Sequence, residues 1–262
     1  VKEVMAEPAL ANLHEVEAGV VVDLFLSLRD VKSYAAMIEL FSRMPPPLQR
    51  ARIMREQYAF ALNREGRSQE AETVLKEVLQ EFGPSSETNG LLGRVYKDRW
   101  ENAKRAGRIE ARALLRNAID TYLAGFQADW RDAYPGVNAV TLMEMQDKPD
   151  PRQAEILPVV RYAALQKARR SVDYWDHATL LELAVIGRDA ADAEERLPDV
   201  LASVPRRAPW QLETTERQLR LIRELREKRS EDAAWIKGLE DALREKRFAA
   251  AVDTPFPGPR PL

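Results

Sequence analysis

Residues 58–84 read YAFALNREGRSQEAETVLKEVLQEFGP, and the placing of small residues, glycine and proline in this stretch leaves room for one local fold, a hairpin of two helices. Ala59 falls where two helices must approach closely, Gly66 ends the first helix, Ala71 and Leu75 face back across the hairpin, and Pro84 stops the second helix. A second copy follows, because Leu92, Gly93 and Tyr96 repeat the L-G-x-x-Y spacing of the first helix and Ala118, Tyr122 and Gly125 repeat that of the second. One hairpin cannot bury its apolar face alone, so such units stack and bury it on their neighbours.

These offsets resemble the tetratricopeptide repeat, and the reading extended to the whole chain is an all-α, tetratricopeptide-like solenoid of antiparallel helix hairpins over residues 1–248, followed by a proline-rich tail or linker over 249–262. Expected helices run 9–18, 17–28, 33–44, 48–65, 68–82 with Ser68 as N-cap, 87–100 and 111–130. Residues 101–110, polar and carrying Gly107, read as an insertion between the last two. Beyond Tyr134-Pro135-Gly136 come helices at 137–145 and 153–170, with Pro158 near the first turn of the latter, then hairpins 173–186 with 190–204 and 210–228 with 232–248. Proline at 255, 257, 259 and 261 makes the tail extended or disordered.

Forty basic residues against 42 acidic ones give a net charge of -2, which offers no global attraction for nucleic acid or an anionic membrane. Cysteine is absent, which excludes disulfides, thiol nucleophiles and zinc-thiolate sites and makes a cytoplasmic protein the default. The longest apolar run, Ala18 to Leu28, is interrupted by Asp23 and is too short to span a bilayer, so no membrane is expected. A start at Val1, with no methionine or signal segment, reads as a piece of a longer protein.

Chemistry is poorly represented. His14 and His177 are the two histidines, and although DYWDHATLLE gathers Asp173, Asp176, His177 and Glu182, carboxylates at a helix start are favoured by capping and by the helix dipole alone. No metal, no cofactor and no catalytic residue is assigned. Lys167, Arg169, Arg170, Arg206, Arg207 and the run Arg220–Arg229 read as solvated helix faces, since Glu224 and Glu227 interleave the last of these, and Trp210 reads as packing at a helix start. The other readings are a metal-dependent hydrolase or nuclease using groove carboxylates and an RNA-binding helical repeat.

First helices of such an array line its concave face, and counting from the small residues places Glu56, Asn63 and Arg64, then Arg94, Lys97 and Asp98, then Glu144 there as the expected partner-binding residues. Arg94 and Lys97 stand one turn apart beside core Leu92 and Tyr96, where an acidic peptide fits. The expected function is protein recognition without catalysis, by a scaffold or regulatory module of a signalling or defence protein whose oligomeric state the sequence leaves open.

The segments VVVDLFLSLRDVKSY, YAFALNR, LLGRVYKD, YPGVNAVTLM, YWDHATLLELAV and APWQLETTERQLRLI, in that order, resemble the central regulatory region of the apoptosis signal-regulating kinases, also called the TRAFs-binding domain of mitogen-activated protein kinase kinase kinases. The resemblance spans residues 17–226 and implies a solenoid that binds partner proteins and relays their arrival to an attached effector domain. In those kinases a pleckstrin-homology-like domain and the kinase follow, for which residues after Phe248 leave no room. The arginine- and alanine-rich composition suggests a bacterial homologue, and on that reading the animal TRAF partners are not carried over.

Overall fold

The structure, a computed structural model, describes residues 1, 7, 10, 12–148, 150–171, 173–205 and 208–252, the last three by backbone alone. Among these residues every regular element is helical. Residues 253–262 of the expected tail, Arg206 and Arg207 lie outside the described residues, whereas 249–252 continue the last helix. The helices divide between two compact units, Val1–Asp129 and Trp130–Leu262.

In the first unit, α1 (Ala18–Asp30) pairs with α2 (Tyr34–Arg43), a short α3 (Pro46–Arg50) follows, α4 (Arg52–Arg64) pairs with α5 (Ser68–Phe82), and α6 (Ser86–Arg105) pairs with α7 (Ala111–Ala128). Val21, Phe25 and Leu28 recur at helical spacing on α1 and meet Met37 and Leu40 of α2 in a core that also takes in Leu10 and Leu13. Full burial of a side chain such as Phe25 contributes about 1.5–3 kcal/mol. In place of the helix expected over 9–18, the described residues 13–16 are turn and bend, and helix begins at Ala18. The prolines after Met44 break the chain as expected, although Pro46 and Pro47 then start α3, where a missing N–H costs nothing. Ser68 does not cap α5: Arg67 holds the N-cap position without a side-chain bond, and its guanidinium pairs with Glu70.

The second unit pairs α8 (Ala133–Glu144) with α9 (Pro151–Ala168), α10 (Tyr174–Ile186) with α11 (Ala190–Ser203), and α12 (Trp210–Lys228) with α13 (Ile236–Val252). Helix α8 starts before the Tyr-Pro-Gly expected to precede it, because the Asp132 carboxylate accepts from the Tyr134 amide at 3.0 Å and Pro135 fits the first turn. Pro158 lies two turns into α9 rather than near its start, and α13 runs past residue 248 to Val252.

Five of the hairpins close in the same way. Lys32, Gly66, Gly107, Arg188 and Ser230 adopt φ between 58° and 79°. After each, the next amide donates back across the turn: Ser33 to Leu28, Arg67 to Leu62, Arg108 to Ala103, Asp189 to Ala184 and Glu231 to Arg226, at 2.8–3.0 Å. This is the paired-bond closure in which one left-handed residue satisfies the last helix carbonyls. Residues 101–110 are therefore no insertion. Helix α6 continues to Arg105, and Gly107 is the turn of an ordinary hairpin with a long first helix.

The landmarks of the first copy and its successor hold their expected places. Ala59, Ala71 and Leu75 are fully buried. A Cβ on Gly93 would stand 2.7 Å from the ring of Tyr122, so the L-G-x-x-Y glycine is the point where α6 lets that ring lie against its backbone.

Candidate functional site

On the first unit, α4 and α6 bring three of the expected partner residues, Asn63, Arg94 and Asp98, into direct contact. The Asn63 amide donates to Asp98 Oδ2 at 2.7 Å, and Arg94 Nε donates to Asp98 Oδ1 at 3.0 Å, so both oxygens of one carboxylate are used. Asp98 thereby aligns Arg94 along the helix, and the arginine side chain remains 44% exposed. Lys97 is half-buried on the same helix. Arg64, exposed at the end of α4, sits 5.6 Å from the ring centre of Tyr34 and 5.9 Å from that of Phe60, and Arg29 stands 4.9 Å over Phe60. A cation over a ring face is held by the ring quadrupole, and Arg29 is further fixed by donating to Gln57 Oε1 at 2.9 Å. The surface is thus a cation–aromatic ledge, Arg29, Phe60, Arg64 and Tyr34, beside the Asn63–Asp98–Arg94 bridge.

Glu56 and Glu144, also expected on this face, are elsewhere. Glu56 is 4% exposed, and its carboxylate accepts from Arg52 Nε at 3.0 Å and from the Thr88 hydroxyl at 2.5 Å. Thr88 in turn bonds Ser85, the N-cap of α6, so Glu56 ties α4 to the start of the next first helix and has no carboxylate to offer a ligand. Its helical position counts correctly; close approach of α4 and α6 closes it off.

Glu144 is 0% exposed at the end of α8. Its Oε1 accepts from Arg226 Nε at 2.9 Å and from Arg229 Nη2 at 2.8 Å, and its Oε2 accepts from the Gln153 amide at 3.1 Å. Burial pushes the carboxyl up, but the hydrogen bond and charge of Arg226, with Gln153 and Arg188 behind them, hold it below the usual range. Around it Arg226 also donates to the Ile186 carbonyl at 3.1 Å, and Arg188 bonds Glu231 at 2.6 Å. Arg229 Nε stands 3.1 Å from Glu231 Oε1 as an ion pair that misses hydrogen-bond alignment. This is the internal wiring of the second unit.

Among the described residues no group of three or more His, Cys, Asp or Glu side chains is placed to hold a metal ion. Asp173 does cap α10, accepting from the Trp175 amide at 3.2 Å, and Asp176 is bound to Lys167 at 2.8 Å. No helix among the described residues is long and apolar enough to cross a membrane.

Residues 4–238 match the model of the MAP3K TRAFs-binding domain, most of the chain. The chain belongs to the MAP3K TRAFs-binding domain family. It is 30% identical over 224 residues to the mitogen-activated protein kinase kinase kinase nsy-1 of Caenorhabditis elegans, covering 76% of this chain and 14% of that protein. To mitogen-activated protein kinase kinase kinase 15 of Mus musculus it is 27% identical over 227 residues, covering 80% of this chain and 16% of that one. The chain therefore spans about one-sixth or less of these relatives. Both are animal proteins and give no support to the bacterial origin expected from composition. A thermophilic TPR protein from Thermus thermophilus superimposes with a TM-score of 0.54 at 14% identity, over 78% of this chain and 98% of its own. That likeness supports the fold, an all-helical TPR-like α-solenoid architecture.

For this member of the TRAFs-binding family, sequence counting misses Arg29, Tyr34 and Phe60. Phe60 stands three and four residues before Asn63 and Arg64 on α4, a spacing that puts it under the same face, and that signal is present in YAFALNR. Trp210 starts α12 as expected and its ring lies 5.9 Å from that of Trp175, although 56% of the residue stays exposed.

Proposed function

We propose that this chain is a non-enzymatic interaction and regulatory module of a larger multidomain signalling protein, and that it takes a protein partner on the first-helix face of α4 and α6. The observation that carries the reading is the ledge of Arg29, Phe60, Arg64 and Tyr34 beside Arg94: cations fixed over rings and on a bridged carboxylate, half-desolvated yet open to a ligand. Such a surface suits an acidic segment, since preordered guanidinium donors lose little freedom on binding a carboxylate. Membership of the TRAFs-binding family supports a protein as the ligand and makes a TRAF-domain protein the first probe. Lys97 adds a second cation one turn from Arg94. The kinases nsy-1 and kinase 15 are far longer than this chain, and in a polypeptide of that kind partner capture here would report to an effector domain elsewhere.

Titration calorimetry of the chain with a purified TRAF domain tests the reading. Binding should weaken at least about tenfold in Arg94→Glu and in Arg64→Ala, the cost of roughly 1.4 kcal/mol at one contact. Full affinity in both variants would sink the assignment of this face. Metal-dependent turnover of a nucleotide or nucleic acid, abolished by changing a single carboxylate, would sink the non-enzymatic reading.

A further inference from the structure

The second unit carries a different exposed feature that the first-helix face does not use. A pocket of about 530 Å³ opens between the start of this unit and the C-terminal turns of α9, lined by Trp130, Arg131, Tyr162, Lys167 and Arg170 among others. Trp130 is 54% exposed and Tyr162 55%. Two large aromatic rings left in water around one concavity are uncommon on a surface with no ligand, because each forgoes apolar area that packing would have buried. Aromatic residues and arginine are also the types that concentrate the energy of protein interfaces.

The charge of the lining selects the occupant. Three of its residues are basic and none is acidic. Arg170 is exposed and makes no side-chain hydrogen bond or ion pair among the described residues. Lys167 gives one contact to Asp176 at 2.8 Å, with 66% of its side chain exposed, and an ammonium has further donors for a second acceptor. Two further rings of this unit, Trp175 and Trp210, lie 5.9 Å apart and are 37% and 56% exposed.

We propose that the Trp130–Tyr162 pocket binds an acidic peptide segment of a partner protein, seating one aromatic or aliphatic side chain on the two rings and holding the flanking carboxylates on Arg170 and Lys167. The proposal rests on the reading of the chain as a protein-interaction module and adds a second contact point to it. Rings beside cations also suit single-stranded nucleic acid. A polyanion is the poorer fit, because the net charge of -2 supplies no steering field and Asp176 already neutralises part of Lys167.

The test is selection of a phage-displayed random dodecapeptide library on the chain carrying Arg94→Glu, so that the first-helix face does not compete for acidic peptides, followed by fluorescence anisotropy of the unaltered chain and its variants with the enriched peptides and with a fluorescein-labelled oligouridylate 12-mer. Enriched peptides should carry Glu or Asp around an aromatic or aliphatic residue. Their affinity should fall at least about tenfold in Arg170→Glu and in Tyr162→Ala, with thermal melts unchanged, and stay the same in Arg94→Glu. Peptides without acidic residues, indifference to Arg170→Glu, or tighter binding of the oligouridylate than of any peptide would each overturn the proposal. Because Arg94→Glu reports on the first-helix face alone, loss of TRAF-domain binding there and loss of peptide binding here fail separately.

Discussion

Arg226 and Glu144, 82 residues apart in sequence, form an ion pair in which both side chains are 0% exposed, with Nε 2.9 Å from Oε1. A buried pair of this kind resists removal of either partner, because the survivor keeps its charge in a place water cannot reach.

The two partners are not equivalent. Glu144→Leu leaves the guanidinium groups of Arg226 and Arg229 without their shared carboxylate and should cost about 3–5 kcal/mol. Arg226→Met leaves Glu144 still bonded to Arg229 and Gln153, so its cost should be clearly smaller. Urea denaturation of both variants checks the order. Equal losses would show that Arg229 does not share the load.

Acid should unfold the chain through the same carboxylate. The Glu144 carboxyl is lowered from 4.5, since Arg226, Gln153 and Arg188 outweigh its burial. That of Glu72 is lowered from 4.5 too, where the bonds of Lys76 and Tyr96 outweigh burial. A carboxylate with a depressed folded-state pKa adds stability that is complete above the unfolded value and is lost as pH falls through the folded one. The melting temperature should therefore hold steady down to a pH near 4.5 and decline below it. Glu72→Gln should melt lower at neutral pH with a shallower acid decline, and an unchanged slope in that variant would remove Glu72 from the account.

Neighbouring residues on α6 should respond oppositely. Gly93→Ala puts a methyl 2.7 Å from the buried Tyr122 ring, which is hemmed in, and should cost about 1–3 kcal/mol. Arg94→Glu breaks a partly exposed i,i+4 pair with Asp98, worth at most about 1 kcal/mol, and should leave the melt nearly unchanged. Comparable thermal damage from both would mean that the two faces of α6 are wrongly assigned.

Truncation after Val252 removes the proline-rich residues and keeps Ile236, Leu239 and Leu243, which bury α13, and Arg247, which pairs with Glu213. The melting temperature should change by less than about 2 °C, the shift expected from roughly 0.5 kcal/mol in a chain of this size. A loss of several degrees would identify the tail as a cap over the last hairpin.

Local signals in the sequence are enough for the helices and for the landmark contacts, because Ala59, Ala71 and Gly93 act through their own small size. Errors fall where a distant element decides the outcome. Residues 101–110 look like an insertion because their polar side chains face water along the end of α6, and only the turn at Gly107 reveals the hairpin. Glu144 follows the helical count of a surface position, yet Arg226 and Arg229, more than 80 residues on, fold over it.

The turn residue Arg188 carries one more consequence. Its guanidinium reaches Glu231, just beyond the turn at Ser230, while Arg229 from that same turn reaches back to Glu144 at the end of α8. Three hairpins of the second unit are thus laced through their tips, and none can separate without exposing charges held by the other two. A stack of repeats held by nearest-neighbour packing alone frays from its ends, unit by unit. Lacing of this kind replaces fraying with a single cooperative opening, so amides of α8, α10 and α12 are expected to exchange with solvent hydrogen together, at one common free energy.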